Sequence, residues 1–301
     1  MKKSFPGYYP LNNYDYELLF KNATIVFDIN VLLDLFRIEK TYINQICSVM
    51  EHEKVKGRLW MPFDIAWFYH NSMNDIILEQ ISNIGSTLAH LNQCKSAIDA
   101  FKQYPFLAED KRQELNFLIT NIKEICDNEQ NDLANQLRES QLKETISRLY
   151  EGKVGPEYNS SEMDKIYAEA NQRYPLSIPP GYINDGYMDK RKKYHGLIVW
   201  KQLIRYAKES NNDILYVTGK VSEDWYYIER NKIISPRHEL QDEFRKQTKK
   251  HFFAMNFSEF IKKCCEIFNI RMDREDFILR NISEPIVYAS VNNKNTLDNQ
   301  I

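Results

Sequence analysis

No stretch of this chain approaches the roughly 18 consecutive apolar residues of a membrane span, so no membrane partner is expected. The opening Met1-Lys2-Lys3-Ser4-Phe5-Pro6 has no apolar run behind it and does not read as a secretory signal. The five cysteines (47, 94, 126, 264 and 265) contain no C-x-x-C pair, and the adjacent Cys264 and Cys265 would point in different directions on a helix. A thiolate zinc motif or a disulfide framework is therefore not expected; reduced thiols in a cytoplasmic protein are. Charge of one sign is also missing. Forty Lys and Arg stand against 42 Asp and Glu, a net of −2, so bulk charge gives no reason to expect nucleic acid and any such site must be a local patch. What is present is a globular composition, 43% hydrophobic and 27% charged over 301 residues, with enough chain for a real core.

Four short segments read as strands: 23–28 (ATIVFD), 58–61 before Pro62, 214–218 (ILYVT) and 251–255 (HFFAM). The first is apolar and β-branched, as a strand covered on both faces should be, and it delivers Asp28 to its C-terminal end before a helical run, 31–37. Amphipathic helices over 196–207 and 257–268 lie between and after the strands. The alternation argues for a parallel sheet with helices on both faces, with its chemistry at the C-terminal ends of the strands. From 69 to 150 the chain reads as nearly continuous helix. One apolar series is Ile77, Ile81, Ile84, Leu88, Leu91; after a break at Tyr104-Pro105 comes Leu115, Leu118, Ile122, Ile125, Leu133, Leu137, Leu142, Ile146, Leu149. Two helices folding back as a hairpin and packing through these series are expected, inserted into the α/β core. The organisation is thus 1–68 for the first part of the core, 69–150 for the hairpin, 151–285 for the rest of the core and 286–301 for a polar, Asn-rich tail. Ser161 and Asp164 are read as a capping box opening a short helix that runs to about Asn171.

Several segments, in order, resemble one family. They are Phe27-Asp28-Ile29-Asn30 continuing to Arg37, Tyr150-Glu151-Gly152-Lys153-Val154-Gly155, Ile178-Pro179-Pro180-Gly181-Tyr182, Leu197-Ile198-Val199-Trp200-Lys201-Gln202, Leu215-Tyr216-Val217-Thr218, Glu223-Asp224-Trp225 and Arg237-His238-Glu239-Leu240. Together they resemble the long bacterial PIN-like nuclease-fold proteins with an inserted helical hairpin. The fold this implies is α/β: a three-layer PIN-like domain with a central parallel sheet and that hairpin. The resemblance also implies three or four carboxylates at the C-terminal edge of the sheet, holding one or two divalent ions for phosphodiester hydrolysis, usually of RNA. Hard ions need oxygen ligands, and two ions side by side need several carboxylates to offset their charge.

Position by position the chain departs from that pattern. Asp28 is the retained acid, and it alone is a weak ligand for a metal. Phe68 stands where a glutamate is expected, Gly196 where an aspartate should follow Tyr194, and Gly219 and Lys220 where two aspartates are usual. Asp185, Glu223 and Asp224 are candidate substitute catalytic acids, the last two expected to open a helix. Asp34, Asp64, Asp189 and His195 are further loop, cap or ligand candidates nearby. Lys190, Arg191, Lys192 and Lys193 precede the Gly196 helix, and Arg245 and Lys246 (with Lys249 and Lys250) precede the last strand. Both runs are expected to flank the edge where the site lies. With Asn30 and Arg237 these are the candidate nucleic-acid contacts, interleaved with Tyr182, Tyr187, Trp225, Tyr226 and Tyr227 as stacking platforms. Arg173, Arg237, Glu239 and Glu243 also match the family; Arg237 is either a phosphate fork or scaffold paired with Glu239 or Glu243.

Three readings follow. The favoured one is a catalytically silent module that binds RNA, other single-stranded nucleic acid or a protein partner, by family analogy in a bacterial defence or toxin-like system. It needs no cofactor. The second is a metal-dependent ribonuclease using Mg or Mn with Asp28 and relocated acids. The third is a structural protein that engages a partner through 69–150.

Overall fold

In a computed structural model the described residues are 1, 13–100, 107–219, 222–229 and 232–273. Helix α1 (Asn13–Asn22) leads into β1 (Thr24–Phe27), and Asp28 then caps α2 (Ile29–Asp34), which tightens into a 3₁₀ turn over Leu35–Arg37. The helices α3 (Lys40–Glu51) and α4 (Glu53–Lys56) follow. Three more come next: α5 (Phe63–Ala100), α6 (Glu109–Arg138) and α7 (Gln141–Tyr150). Helix α8 (Ser160–Arg173), two 3₁₀ turns and α9 (Lys190–Ser210) lead to β2 (Ile214–Thr218). A hairpin of β3 (Tyr226–Glu229) and β4 (Lys232–Pro236), α10 (His238–Thr248), β5 (Phe252–Asn256) and α11 (Phe257–Phe268) complete the described chain.

The sheet is parallel, in the order β1-β2-β5, with Thr24 beside Ile214 and Ile214 beside Phe252. All residues of β1 and β2 are buried, which is why these segments read as unbroken apolar runs. Beneath them Phe27 meets Phe257 and Phe260 edge-on at 5.8 and 5.2 Å. On the other face Trp200 packs among Trp225, Phe244 and Phe252.

The expected strand at 58–61 is not one. Leu59 bridges to Ile25 and Met61 to Val154, each once. The segment thus changes partner within two residues, and Pro62 has no N–H to carry it further. The segment after Asp224, expected as a helix, is instead a turn into the antiparallel β3–β4 hairpin. The capping box of α8 is made by Asn159 and Glu162 rather than Ser161 and Asp164; Asn159 accepts from the Glu162 N–H at 3.0 Å and Glu162 reaches back at 2.9 Å. The box needs a three-residue span from a residue with extended backbone, which Asn159 has and Ser161, already helical, lacks.

The long helices pack together as expected, but with two differences. Helix α5 begins at Phe63, six residues early, and α6 and α7 are separate, with Ser140 capping the Lys143 N–H at 3.2 Å. The α6 seam is also rotated. Ile119 and Leu133 are buried, whereas Leu118, Ile122 and Ile125 of the expected series are exposed together with Phe117. The expected break at Tyr104-Pro105 and the polar tail lie outside the described residues. No helix among the described residues is long and apolar enough to cross a membrane.

Candidate functional site

Because the strands are parallel, β1 and β2 end at the same edge, and a cavity of about 340 Å³ opens there. Asp28, Asn30, Phe68, Lys192, His195, Gly196, Thr218 and Asp224 line it, with Tyr187, Tyr216, Ser222 and Trp225. Segments far apart in sequence therefore meet at one cavity.

Asp28 is 6% exposed and its oxygens are engaged. Oδ1 accepts the Ile29 N–H at 2.8 Å as the cap of α2, and Oδ2 accepts from Asn30 Nδ2 and Thr218 Oγ1, both at 2.9 Å. Tyr216 also interacts with it, and its phenol is pushed well above its ordinary pKa, first by burial and then by the Asp28 charge. Asp224 is 4% exposed; it accepts the Gly181 N–H at 2.9 Å and the Ser222 hydroxyl. This carboxylate thereby ties the Pro180-Gly181 loop to the start of β3.

Phe68, His195, Asp64 and Arg191 form one cluster beside Gly196. Phe68, 8% exposed, stands edge-on to the His195 ring with centroids 4.5 Å apart. His195 Nδ1 lies 2.7 Å from Asp64 Oδ2, and the other Asp64 oxygen accepts from Arg191 Nε, also at 2.7 Å. Asp64 is fully buried, and its own N–H donates to Gln202 at 3.2 Å. It was expected as a solvated cap or loop residue. Its burial follows from α5 starting early enough to place it beneath α9. Arg191 in turn lies over Trp67, 4.3 Å from the ring centre, with Glu157 at 3.6 Å.

Gly196 is in contact with another backbone. A β-carbon there would lie 2.7 Å from the Gly181 Cα, and Gly181 itself adopts φ +95, where a side chain would be strained and would meet the Tyr174 hydroxyl. At Gly219 the nearest atom to an added β-carbon is Asp34 Oδ2 at 3.3 Å. Asp34 accepts from Arg37 at 2.7 Å. Partial burial nonetheless raises its pKa above the ordinary carboxylate value, an effect larger than the lowering by Arg37.

The remaining candidates divide. Lys190 and Lys192 are exposed, and Lys192 reaches the cavity; Lys193 sits 5.4 Å from the centre of the Tyr194 ring. Asp189 caps α9 by accepting the Lys192 N–H at 2.8 Å. Glu223 is exposed beside Tyr182, whose phenol is raised first by burial and then by that carboxylate. Arg237 pairs with Glu239 at 3.1 Å. Arg173 is buried, forks onto Glu243 at 2.9 and 2.7 Å and donates to the Pro179 carbonyl, which holds it in the scaffold. Of the expected stacking residues, Trp225 lies on Tyr216 at 4.5 Å and Tyr226 is buried, while Tyr187 and Tyr227 are exposed.

Arg245 and Lys246 do not flank the site. They close α10 just before β5 begins, and β5 begins beside Ile214, at the N-terminal edge of the sheet. A parallel strand must be entered from the far side, so the residues preceding it lie opposite the cavity. The side chain of Asp185 and all of Lys220 lie outside the described residues.

A two-ion centre needs several carboxylate oxygens free to converge. Among the described residues no three His, Cys, Asp or Glu side chains do so. The acids of the cavity are bonded to the chain's own donors. These residues do not fit an ion pair of that kind.

Sequence reasoning noted Asp64 and His195 singly and missed that they form a pair. They are 131 positions apart, and nothing in local pattern couples them. Tyr216, Thr218 and Ser222 were not singled out as cavity residues either; their only signal was proximity to the ends of β2 and β3.

A family model described as PIN like domain matches residues 24–240, from β1 into α10. No characterised protein and no solved structure matches the chain at a significant level. The match spans every segment that lines the cavity and most of the chain's length, and the chain belongs to the PIN-like domain family.

Proposed function

We propose that this protein is a nucleic-acid-binding PIN-like domain whose cavity takes single-stranded RNA without supporting two-ion hydrolysis. The observation that carries the reading is the state of the carboxylates. Asp28 and Asp224 are each held by two or more donors from the chain itself, while Lys192, Tyr187 and the edge of Phe68 remain at the cavity. Glycines at 196 and 219 and an aromatic ring at 68 remove negative charge that would repel a phosphate. A cationic side chain beside exposed aromatic surface suits a strand whose bases are unpaired.

The test is binding of a fluorescent single-stranded RNA by anisotropy across a salt series, beside cleavage assays with Mg²⁺ and Mn²⁺ on the wild type and Asp28→Asn. Binding that weakens with salt, without ion-dependent cleavage, is the expected result. Ion-dependent cleavage abolished by Asp28→Asn would replace this reading with that of an active nuclease. No binding at low salt would leave the exposed apolar strip of α6 (Phe117, Leu118, Ile122, Ile125) as the face to pursue with protein partners.

A further inference from the structure

The Asp64–His195 pair lies beside Phe68 and Gly196, and the binding reading makes no use of it. We propose that His195 is a proton acceptor that gives this cavity metal-independent RNA cleavage, with Asp64 as its positioning residue. The proposal rests on the nucleic-acid-binding reading of the same cavity.

The tautomer is set by the partner. An aspartate engaged by an arginine is acceptor-only, so in the neutral imidazole Nδ1 carries the proton at 2.7 Å from Asp64 and Nε2 presents a lone pair. The pair is held on all sides. Asp64 is fully buried, Arg191 grips its second oxygen, Trp67 lies under Arg191, and Phe68 stands against the imidazole. The His195 side chain, 16% exposed, faces the cavity, and among the described residues nothing bonds its Nε2. A base oriented by a buried carboxylate, open to a cavity on its other nitrogen, is the arrangement that general-base chemistry requires. Lys192 lies three residues earlier on α9 and lines the same cavity, where its ammonium supplies charge for a phosphate.

RNA carries the hydroxyl that such a base needs. His195 Nε2 takes the proton of a ribose 2′-hydroxyl, O2′ forms a bond to the adjacent phosphorus, and the P–O5′ bond breaks. The departing O5′ takes a proton from a solvent water, and the imidazolium returns its proton to the hydroxide so formed. The products are a 2′,3′-cyclic phosphate end and a 5′-hydroxyl end. Nothing is oxidised or reduced, and no ion takes part. DNA, lacking the 2′-hydroxyl, is not a substrate.

The experiment uses the full-length protein in excess over a labelled single-stranded RNA in EDTA, so that the rate constant is read at saturation. DNA and 2′-O-methyl RNA of the same sequence are run beside it. His195→Gln is purified identically, and its fold is checked by thermal melting. Expected are cyclic-phosphate ends from RNA alone and a rate constant reduced by about a hundredfold in His195→Gln. Asp64→Asn should lower the rate constant more than it lowers affinity for the 2′-O-methyl RNA. Absence of cleavage of RNA that is bound overturns this proposal and leaves the binding reading standing. Cleavage undiminished in His195→Gln, or products with 5′-phosphate ends, also overturns it. Failure to bind the RNA at all overturns the binding reading, and this proposal with it.

Discussion

The α-carbon of Gly181 occupies the space into which a side chain on Gly196 would grow, 2.7 Å from where its β-carbon would begin. A side chain at position 196 is therefore excluded by the Pro180-Gly181 loop, which Asp224 holds in place. Gly196→Asp should destabilise the protein by about 1–3 kcal/mol, as overpacking against backbone does. At Gly219 an added β-carbon comes within 3.3 Å of the Asp34 side chain and makes ordinary contacts at 3.7 Å with the backbone, so Gly219→Asp should cost well under that. Urea denaturation of the two variants in parallel checks the contrast.

Removing the buried partner of two groups at once has a larger effect. Asp64→Ala leaves Arg191 and His195 without their common acceptor, and a loss of about 3 kcal/mol is expected from breaking such a pair. Asp64→Asn keeps an acceptor oxygen and should lose less. Equal midpoints for wild type and Asp64→Ala in chemical denaturation would contradict the pairing.

If the bonded carboxylates are what prevents ion binding, free ones should restore it. The wild type is expected to show no rise in melting temperature with Mn²⁺. The Phe68→Glu/Gly219→Asp double variant, which adds one carboxylate at the cavity and one beside the Asn30 backbone at its edge, should gain a Mn²⁺-dependent rise. Thermal scans with and without EDTA decide it.

Edge placement separates the two basic runs. Lys192→Glu should weaken RNA binding about tenfold and reduce the salt dependence by about one phosphate contact. Arg245→Glu and Lys246→Glu, at the opposite edge of the sheet, should leave affinity within about twofold. Anisotropy titrations at several salt concentrations measure both.

Acid should loosen the α8–α9–α10 junction. Burial alone would raise the Glu169 carboxyl, but its hydrogen bonds and charge contacts with Lys201 and Arg173 outweigh this and bring it below the ordinary value of 4.5. A carboxylate depressed in the folded state stabilises above its unfolded pKa, and that contribution disappears as pH falls from about 4.5 through the depressed value. Melting temperature should drop over this range, and Glu169→Gln should flatten the drop.

Much of the fold is legible locally. The runs 24–27 and 214–218 can be read because a strand covered on both faces must be apolar throughout, and α11 from Phe257 to Phe268 because its apolar residues recur at helical spacing. The β3–β4 hairpin escaped because Trp225 and Tyr226 belong to the core rather than to a patterned face. The α6 seam was misjudged because Leu118 and Ile119 are adjacent, equally apolar and separable only by what packs against them.

The site divides along the same line. The sequence alone determined that Asp28 ends a buried strand just before a helix, which is a matter of residue identity and local backbone. Only the tertiary structure decided that Asp64 is buried against His195, that Gly181 fills the space above Gly196, and that Arg245 and Lys246 lie at the far edge. Those outcomes depend on which segments meet in space, across 131 positions for Asp64 and His195, and packing and hydrogen-bond satisfaction act on neighbours in space, whatever their separation along the chain.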